Sequence, residues 1–355
     1  MPQSSAPESD LACKQIKSLL SQRLGKQWTA GMRLPPIRQL ARQLKAGQRN
    51  THRAVQELVV DGLLTSAPRR GTFVARTKHV YMPMSEAEGM SERMAAAFLA
   101  QLQQLGVRVT RGPDIKHWDL TGVDADAVAL IQRNSTEGAK VRPGQIVTLI
   151  NTHDARPQMM DGRFDVVTVD QFHGSSLAGK FLRQRGIDSV CYIGTGKSPS
   201  QEYFALDSVR LSGLEAGIGF KLPRRHRLMA RRYTEEAGAE MARVYLQLDP
   251  RPRAVFAVCD EIAIGFLLGA RALGLVAGED YDLIGFDGQW RGRNLSTGPL
   301  VSVAVPSEEM GRTGAQLLAA RLETPDLPPR IVQLGCSIFQ GSTVRGEIVT
   351  PERTR

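Results

Sequence analysis

The sequence predicts an α/β protein in two parts: a small amino-terminal domain of three helices closed by a β hairpin, then a two-lobed domain of parallel sheets flanked by helices. Three observations predict this. Residues 1–78 hold 14 of the 46 basic residues and 4 of the 36 acidic ones, so the formal charge of +10 sits wholly in that segment and the remainder is neutral. Apolar residues in the same segment recur at helical spacing. From His79 onward the pattern changes to short apolar runs alternating with longer helical stretches, the repeat of β-α units. At 355 residues the chain is too long for one ordinary core.

The first helix is read from Ile16, Leu19, Leu20 and Leu24, with Ser9 or Asp10 placed to cap its start and Gly25 to end it. A turn, WTAGMRLPP, follows, and Pro36 suits the first position of a second helix whose apolar stripe is Ile37, Leu40, Ala41 and Leu44. After Gly47 a third helix runs from about Gln48 to Asp61. It buries Val55, Leu58 and Val59, ends at Gly62, and shows Gln48, Arg49, His52, Arg53 and Gln56 on its opposite face. Two helices joined by a tight turn, the second with a cationic outer face, form a helix-turn-helix pattern. Leu63-Leu64-Thr65 and Thr72-Phe73-Val74 read as two strands around Pro68-Arg69-Arg70-Gly71, a wing with an arginine tip. A polyanion is the partner this charge distribution predicts.

In the larger part, a helix near Ser91–Leu105 ends at Gly106. Runs at 107–109, 127–131, 146–150, 166–169 and 190–193 read as strands, and Ser175–Arg185 as a helix ended by Gly186. About 265 residues exceed one such sheet, so two lobes are expected, with a ligand cleft between them beyond the carboxyl ends of the strands. The boundaries read are 1–77 for the first domain, 78–345 for the second and 346–355 for a tail.

Other chemistries find no footing. Gly194-Thr195-Gly196-Lys197-Ser198 follows a strand, but Cys191 stands where a P-loop needs its first glycine, so this is a loop at a strand end. Gly217 and Gly219 do not extend to GxGxxG, no serine lies in GxSxG, and the six histidines show no HxH or HExxH spacing. No metal or cofactor is expected. Cys13, Cys191, Cys259 and Cys336 form no CxxC and read as isolated reduced thiols. No apolar run reaches a membrane span, and the polar start, MPQSSAPESD, carries no export pattern, so a cytoplasmic protein is expected. Arg224-Arg225-His226-Arg227 with Arg231-Arg232 reads as a solvated basic loop or, alternatively, as an anionic-ligand or partner site.

The run GMRLPPIRQLARQL…THRAVQELVVDGLL…RRGTFVA resembles the winged helix of the gluconate-repressor (GntR) family. The resemblance implies a DNA contact at Arg38 of the LPxxR motif. It adds Gln48, Arg49, Asn50, His52 and Arg53 on the recognition helix, and Arg69, Arg70 and Gly71 on the wing. Gly47-Gln48 stand where the family has Ser-Arg, and Arg69 where it has the first wing glycine. Stretches such as VVTVDQFHGSSLAGKFLRQRGIDSVCYIG, SVRLSGLEAG, PRAVFAVCDEIAIGFLLGARALGL and EDYDLIGFDG resemble the effector domain of the lactose-repressor (LacI/GalR) family, which shares its fold with periplasmic binding proteins. That likeness implies a ligand site at Arg210, which matches the arginine that hydrogen-bonds sugar hydroxyls, at Asp287, and at Asp170 where the chain crosses between lobes. Cys259 replaces the family's Asn, and Asp260 reads as structural, capping the helix after it.

The combination resembles the arabinose-repressor branch. It implies a sequence-specific DNA-binding transcription regulator, a repressor whose effector is a sugar or sugar derivative, acting as a homodimer on double-stranded operator DNA and not as an enzyme. The alternative is a solute-binding receptor with no part in regulating DNA.

Overall fold

The computed structural model describes residues 6–24, 27–29, 31–68, 70–75, 78–83, 90–112, 119–131, 140, 142, 145–151, 164–195, 201–289, 292, 294–296 and 298–346, with backbone alone at 6–12 and 201–205. Two compact units emerge, residues 1–81 with 102–110 and 124–126, and residues 82–101, 111–123 and 127–355.

In the first unit, helices α1 (Ala6–Arg23), α2 (Ile37–Gln43) and α3 (Gln48–Val60) precede the antiparallel hairpin β1 (Leu64–Ala67) and β2 (Gly71–Val74). Cys13, Ile16, Leu20, Trp28, Leu34, Leu40, Ala54, Val55, Leu58, Leu64 and Val74 make one core. Leu19, read as part of the α1 stripe, is instead 45% exposed, and Cys13, one turn before Ile16, takes the buried place. Helix α1 begins at Ala6, so Ser9 and Asp10 lie inside it and not at its start. Gly25, the expected terminator, lies outside the described residues. Gly62 ends α3 as read, at φ +70°, where a side chain would be strained.

The second unit holds most of two sheets. One has six strands in the order β13-β7-β6-β5-β3-β4, drawn from β3 (His79–Pro83), β4 (Arg108–Gly112), β5 (Ala127–Ile131), β6 (Ile146–Ile150), β7 (Phe164–Val169) and β13 (Ile331–Leu334). The other runs β14-β12-β11-β10-β8-β9, from β8 (Val190–Gly194), β9 (Arg227–Met229), β10 (Ala254–Ala257), β11 (Asp282–Asp287), β12 (Val301–Ala304) and β14 (Ser337–Phe339). Strands β5, β6, β7, β8, β10 and β11 are buried along their whole length, as expected of parallel strands covered on both faces. Edge strand β14 departs from the parallel expectation, running antiparallel to β12.

Helix α9 (Ser307–Glu323) lies on β6 and β7 of the first sheet, and α4 (Met90–Gln104) packs against α9, where a Cβ at Gly311 would strike the Met94 carbonyl. Helices α5 (Gln171–Arg183), α6 (Gln201–Ile218), α7 (Glu235–Leu246) and α8 (Asp260–Ala272) belong with the second sheet. They pack as tight pairs, α5 on α6 and α7 on α8. Gly217 explains the first pair, because a Cβ there would strike the carbonyl of Ser176. Its role is close helix packing. The chain passes between the two sheets three times: at Asp170 between β7 and α5, at Val305-Pro306 between β12 and α9, and at Gly335-Cys336 between β13 and β14.

Candidate functional site

In the first unit, Gly47 caps α3 in extended conformation, and Thr51 Oγ1 donates to the Gly47 carbonyl at 2.9 Å. Thr51, Ala54, Val55 and Leu58 form the buried stripe of α3, one turn longer at its start than the sequence reading. That stripe leaves Gln48, Arg49, His52 and Arg53 exposed on the outer face, with Asn50 half-buried beside them. Arg38 is exposed on α2 and Arg70 on the hairpin, while Arg69 lies outside the described residues.

Glu57 and Asp61, at the carboxyl end of α3, are engaged by α1. Lys17 reaches Asp61 at 2.7 Å and Glu57 at 3.6 Å, binding α1 to the carboxyl end of α3. Among the described residues Arg53 alone of the outer set meets an acid, with Nε 3.5 Å from Glu57 Oε1. The amino-terminal half of α3 therefore presents donors and cations to solvent, the arrangement a major groove accepts.

Wing residue Gly71 has φ +109°, and a Cβ there would lie 2.7 Å from Nε of Arg33. Arg33 also bridges to Phe73 in antiparallel fashion. Sequence reasoning counted Arg33 only as charge. Nothing local signals its packing on the wing, because the two segments are far apart in the chain.

In the second unit, all four predicted ligand residues gather where the crossings meet the carboxyl ends of the second sheet. Asp170 caps α5: its Oδ1 accepts the His173 N–H at 2.8 Å, and its own N–H donates to the Leu334 carbonyl at 3.0 Å, which joins the first and third crossings. That cap starts the helix at Gln171, four residues before the expected Ser175. Arg210, on α6, is buried. Its Nε donates to Gln171 Oε1 at 2.8 Å, its Nη1 to the Val258 carbonyl, and its Nη2 stands 3.7 Å from Asp287 Oδ1. The guanidinium carbon lies 3.7 Å from the centre of the Phe286 ring, a cation–π contact.

Asp287 ends β11 at φ +114°, a left-handed conformation that a non-glycine residue holds only under the constraint of its surroundings. Burial pushes its carboxyl well above the usual range. Arg210 opposes that shift, while Asp260 and Glu261 add to it. Cys259 is buried, and burial lifts its thiol far above the ordinary value, so it offers the cleft a small neutral side chain where an amide was expected. Cys336, at the third crossing, is pushed up to about 12 by burial, with Arg210, Asp287 and Asp170 all acting on it. The cysteine was seen in the sequence only as an isolated thiol.

One further group was missed. Asp207, three residues before Arg210 and so on the same face of α6, accepts the Thr195 N–H at 2.6 Å, the Thr195 hydroxyl at 3.1 Å and the Tyr233 hydroxyl at 2.9 Å. The carboxylate thereby occupies both the N–H and the hydroxyl of Thr195 in the Gly-Thr-Gly-Lys-Ser loop, and Gly196–Ser198 lie outside the described residues. Asp260 corrects a second expectation. Cys259 is the N-cap of α8, and the Asp260 carboxylate reaches sideways instead, accepting the Ser302 hydroxyl and the Gln289 N–H, each at 2.7 Å. It ties α8 to β12 and to the turn after β11.

Among the described residues no group of His, Cys, Asp and Glu could hold a metal ion, and no helix is long and apolar enough to cross a membrane.

Comparison with known proteins places both parts. Residues 12–74 match the bacterial regulatory proteins of the gntR family, and residues 180–344 match the periplasmic binding protein-like domain. The repressor MelR of Bacillus subtilis is 28% identical over 214 residues, 59% of this chain and 60% of its own. A LacI-family regulatory protein from Chloroflexus aggregans superposes with a TM-score of 0.64 at 20% identity, over 75% of this chain and 98% of that one. The regulator CelR, solved as a cellobiose complex, gives 0.63 at 20% identity over 87% of this chain and 100% of that one. The chain spans between 32% and 60% of the length of the curated relatives it matches.

Proposed function

We propose that this chain, which joins a gntR-family regulatory domain to a periplasmic-binding-protein-like domain, is a DNA-binding transcription repressor controlled by a sugar-like effector. The observation that carries the reading is the exposed cationic face of α3, with Arg49, His52 and Arg53 turned outward by the buried stripe beneath them, in the segment that holds the whole excess charge. The relative solved with cellobiose supports a carbohydrate effector.

In this reading α3 enters the major groove and reads base edges with Gln48, Arg49, Asn50, His52 and Arg53. Arg38, Arg69 and Arg70 hold phosphates and fix register, and Gly71 shapes the wing that carries the arginine tip. The effector lies against Arg210, Asp287, Asp170 and Cys259. Arg210 already spends two donors on Gln171 and the Val258 carbonyl, so it enters the complex with its plane fixed, and its long approach to Asp287 leaves that carboxyl able to take a sugar hydroxyl. Binding draws the lobes together about the three crossings. In a homodimer on a two-fold operator, closure changes the spacing of the two winged helices. A coupling of about 1–3 kcal/mol would change operator affinity ~5–150-fold. Such a protein works in the cytoplasm, by binding and not by catalysis.

The test is capture of genomic fragments by the full chain against random competitor, followed by addition of mono- and disaccharides. One fragment should be retained specifically and released by one sugar. Equal retention of all fragments would end the regulator reading. A retained fragment that no sugar releases would end the effector assignment alone.

A further inference from the structure

We propose that the outer edge of β9, with the arginines on either side of it, is a docking site for an extended acidic peptide segment of a partner protein. Residues 221–232, KLPRRHRLMARR, carry six cations and no acid, whereas residues 79–355 as a whole are neutral. A neutral domain that concentrates this much charge in twelve positions carries local self-repulsion, which an anionic partner relieves.

The segment is rigidly built. Buried Glu215 on α6 accepts the Leu222 N–H at 3.0 Å, Lys221 Nζ at 2.7 Å and Arg227 Nη2 at 3.0 Å. Arg227 also donates from Nε to the Leu222 carbonyl at 3.0 Å, so it is spent on holding the turn. Arg225 donates to the buried His226 ring at 3.3 Å. Arg224, Arg225, Arg231 and Arg232 remain exposed to solvent on both flanks of the strand.

Between them the strand itself is open. Among the described residues β9 is the last strand of its sheet and pairs in parallel with β8 alone. Ala230 donates to the Gly194 carbonyl at 2.8 Å, so by the alternation of a parallel ladder Leu228 and Ala230 face β8, while the N–H and carbonyl of Met229 and the carbonyl of Arg227 face outward, the Arg227 N–H being taken by the Arg224 carbonyl. Met229 is 47% exposed. An open edge offering backbone donors and acceptors beside an apolar side chain, framed by four arginines, matches strand addition by an extended chain with acidic side chains. A duplex would use the charge but not the edge.

The experiment uses the full chain and a fluorescein-labelled ten-residue peptide of alternating Glu and Thr, read by anisotropy. Two twin peptides accompany it, one with Gln for every Glu and one N-methylated at alternate residues. The acidic peptide should bind, and each twin should bind at least about tenfold more weakly. The paired substitutions Arg224→Glu with Arg225→Glu, and Arg231→Glu with Arg232→Glu, should each weaken it similarly while leaving melting temperature and DNA binding unchanged. Three results overturn the proposal. Equal binding of the Gln twin makes the arginines a guard against edge-to-edge aggregation. Undiminished binding of the N-methylated twin makes the surface a bare polyanion patch. Displacement of the peptide by random duplex, lost in the arginine variants, makes the surface a nucleic-acid contact.

Discussion

Arg210 and Asp287 face each other in the buried cleft of the second unit, Nη2 to Oδ1 at 3.7 Å, with the guanidinium lying over the ring of Phe286, the residue just before that acid. The pair joins α6 to the end of β11, and both members are nearly sealed from water. Removing one member leaves the other as an uncompensated buried group, and such a loss costs about 3–5 kcal/mol. Arg210→Ala should therefore destabilise the second unit by about 3 kcal/mol. Arg210→Ala combined with Asp287→Asn should recover a large part of that loss. Denaturant unfolding of the full chain and its variants measures both, and additive losses would show that the two residues do not act as a pair.

Asp260 makes the stability of the same unit depend on pH. Burial pushes its carboxyl up to about 7, against the pull of the Ser302 hydroxyl and the Gln289 N–H, with Glu261 adding to the rise and Arg210 opposing it. In the unfolded chain an aspartate titrates near 4. Between those values the folded protein holds more protons than the unfolded one, so this residue's contribution to stability falls as pH rises from about 4 to about 7. Asp260→Asn should remove that decline, so its advantage over the parent chain grows across the window. Parallel stability profiles for the two proteins would show that Asp260 does not titrate there.

The winged helix predicts a salt dependence. With about six phosphate contacts, the slope of log binding constant against log salt should be near −5. Arg38→Ala should reduce the slope by about one and weaken all duplexes alike if Arg38 holds phosphate. Loss of preference at one base pair would instead show that Arg38 reads a base edge. Titrations at four or five salt concentrations decide between them.

Gly71→Ala tests the wing. The residue sits at φ +109° with Arg33 in the space a Cβ would take, so alanine adds backbone strain of about 1–3 kcal/mol and displaces the guanidinium. The melting temperature of the first unit should fall and operator affinity with it. An Arg33→Ala, Gly71→Ala double variant removes the clash but keeps the strain, so it should recover only part of the loss.

Much of this architecture was legible along the chain. The helices and hairpin of the first unit follow from apolar spacing and from turn residues such as Pro36, Gly47 and Gly62, and strands β5 and β6 lie where their five-residue apolar runs stand. Where reading failed, an interaction from elsewhere in the chain had replaced a local rule. Leu19 fits the helical stripe as well as Cys13 does, and only the packing of α1 against α3 decides which is buried. Asp260 looks like a cap beside its helix, yet its partners, Ser302 and Gln289, lie 42 and 29 residues away. Arg33 gave no sign of packing on the wing for the same reason.

By itself the sequence determined the two parts, the helix and strand periodicities and the concentration of positive charge, and it nominated Asp170, Arg210, Cys259 and Asp287 as one candidate set, because each rests on neighbours in the chain or on a recognisable motif. Only the tertiary structure decided that Arg210 is held between Gln171, Val258 and Asp287, that Asp207 takes the Thr195 loop, and that four arginines frame an open strand edge. Those facts depend on which elements lie side by side, and in a parallel sheet neighbouring strands are joined through crossovers whose length hides the pairing from any local pattern.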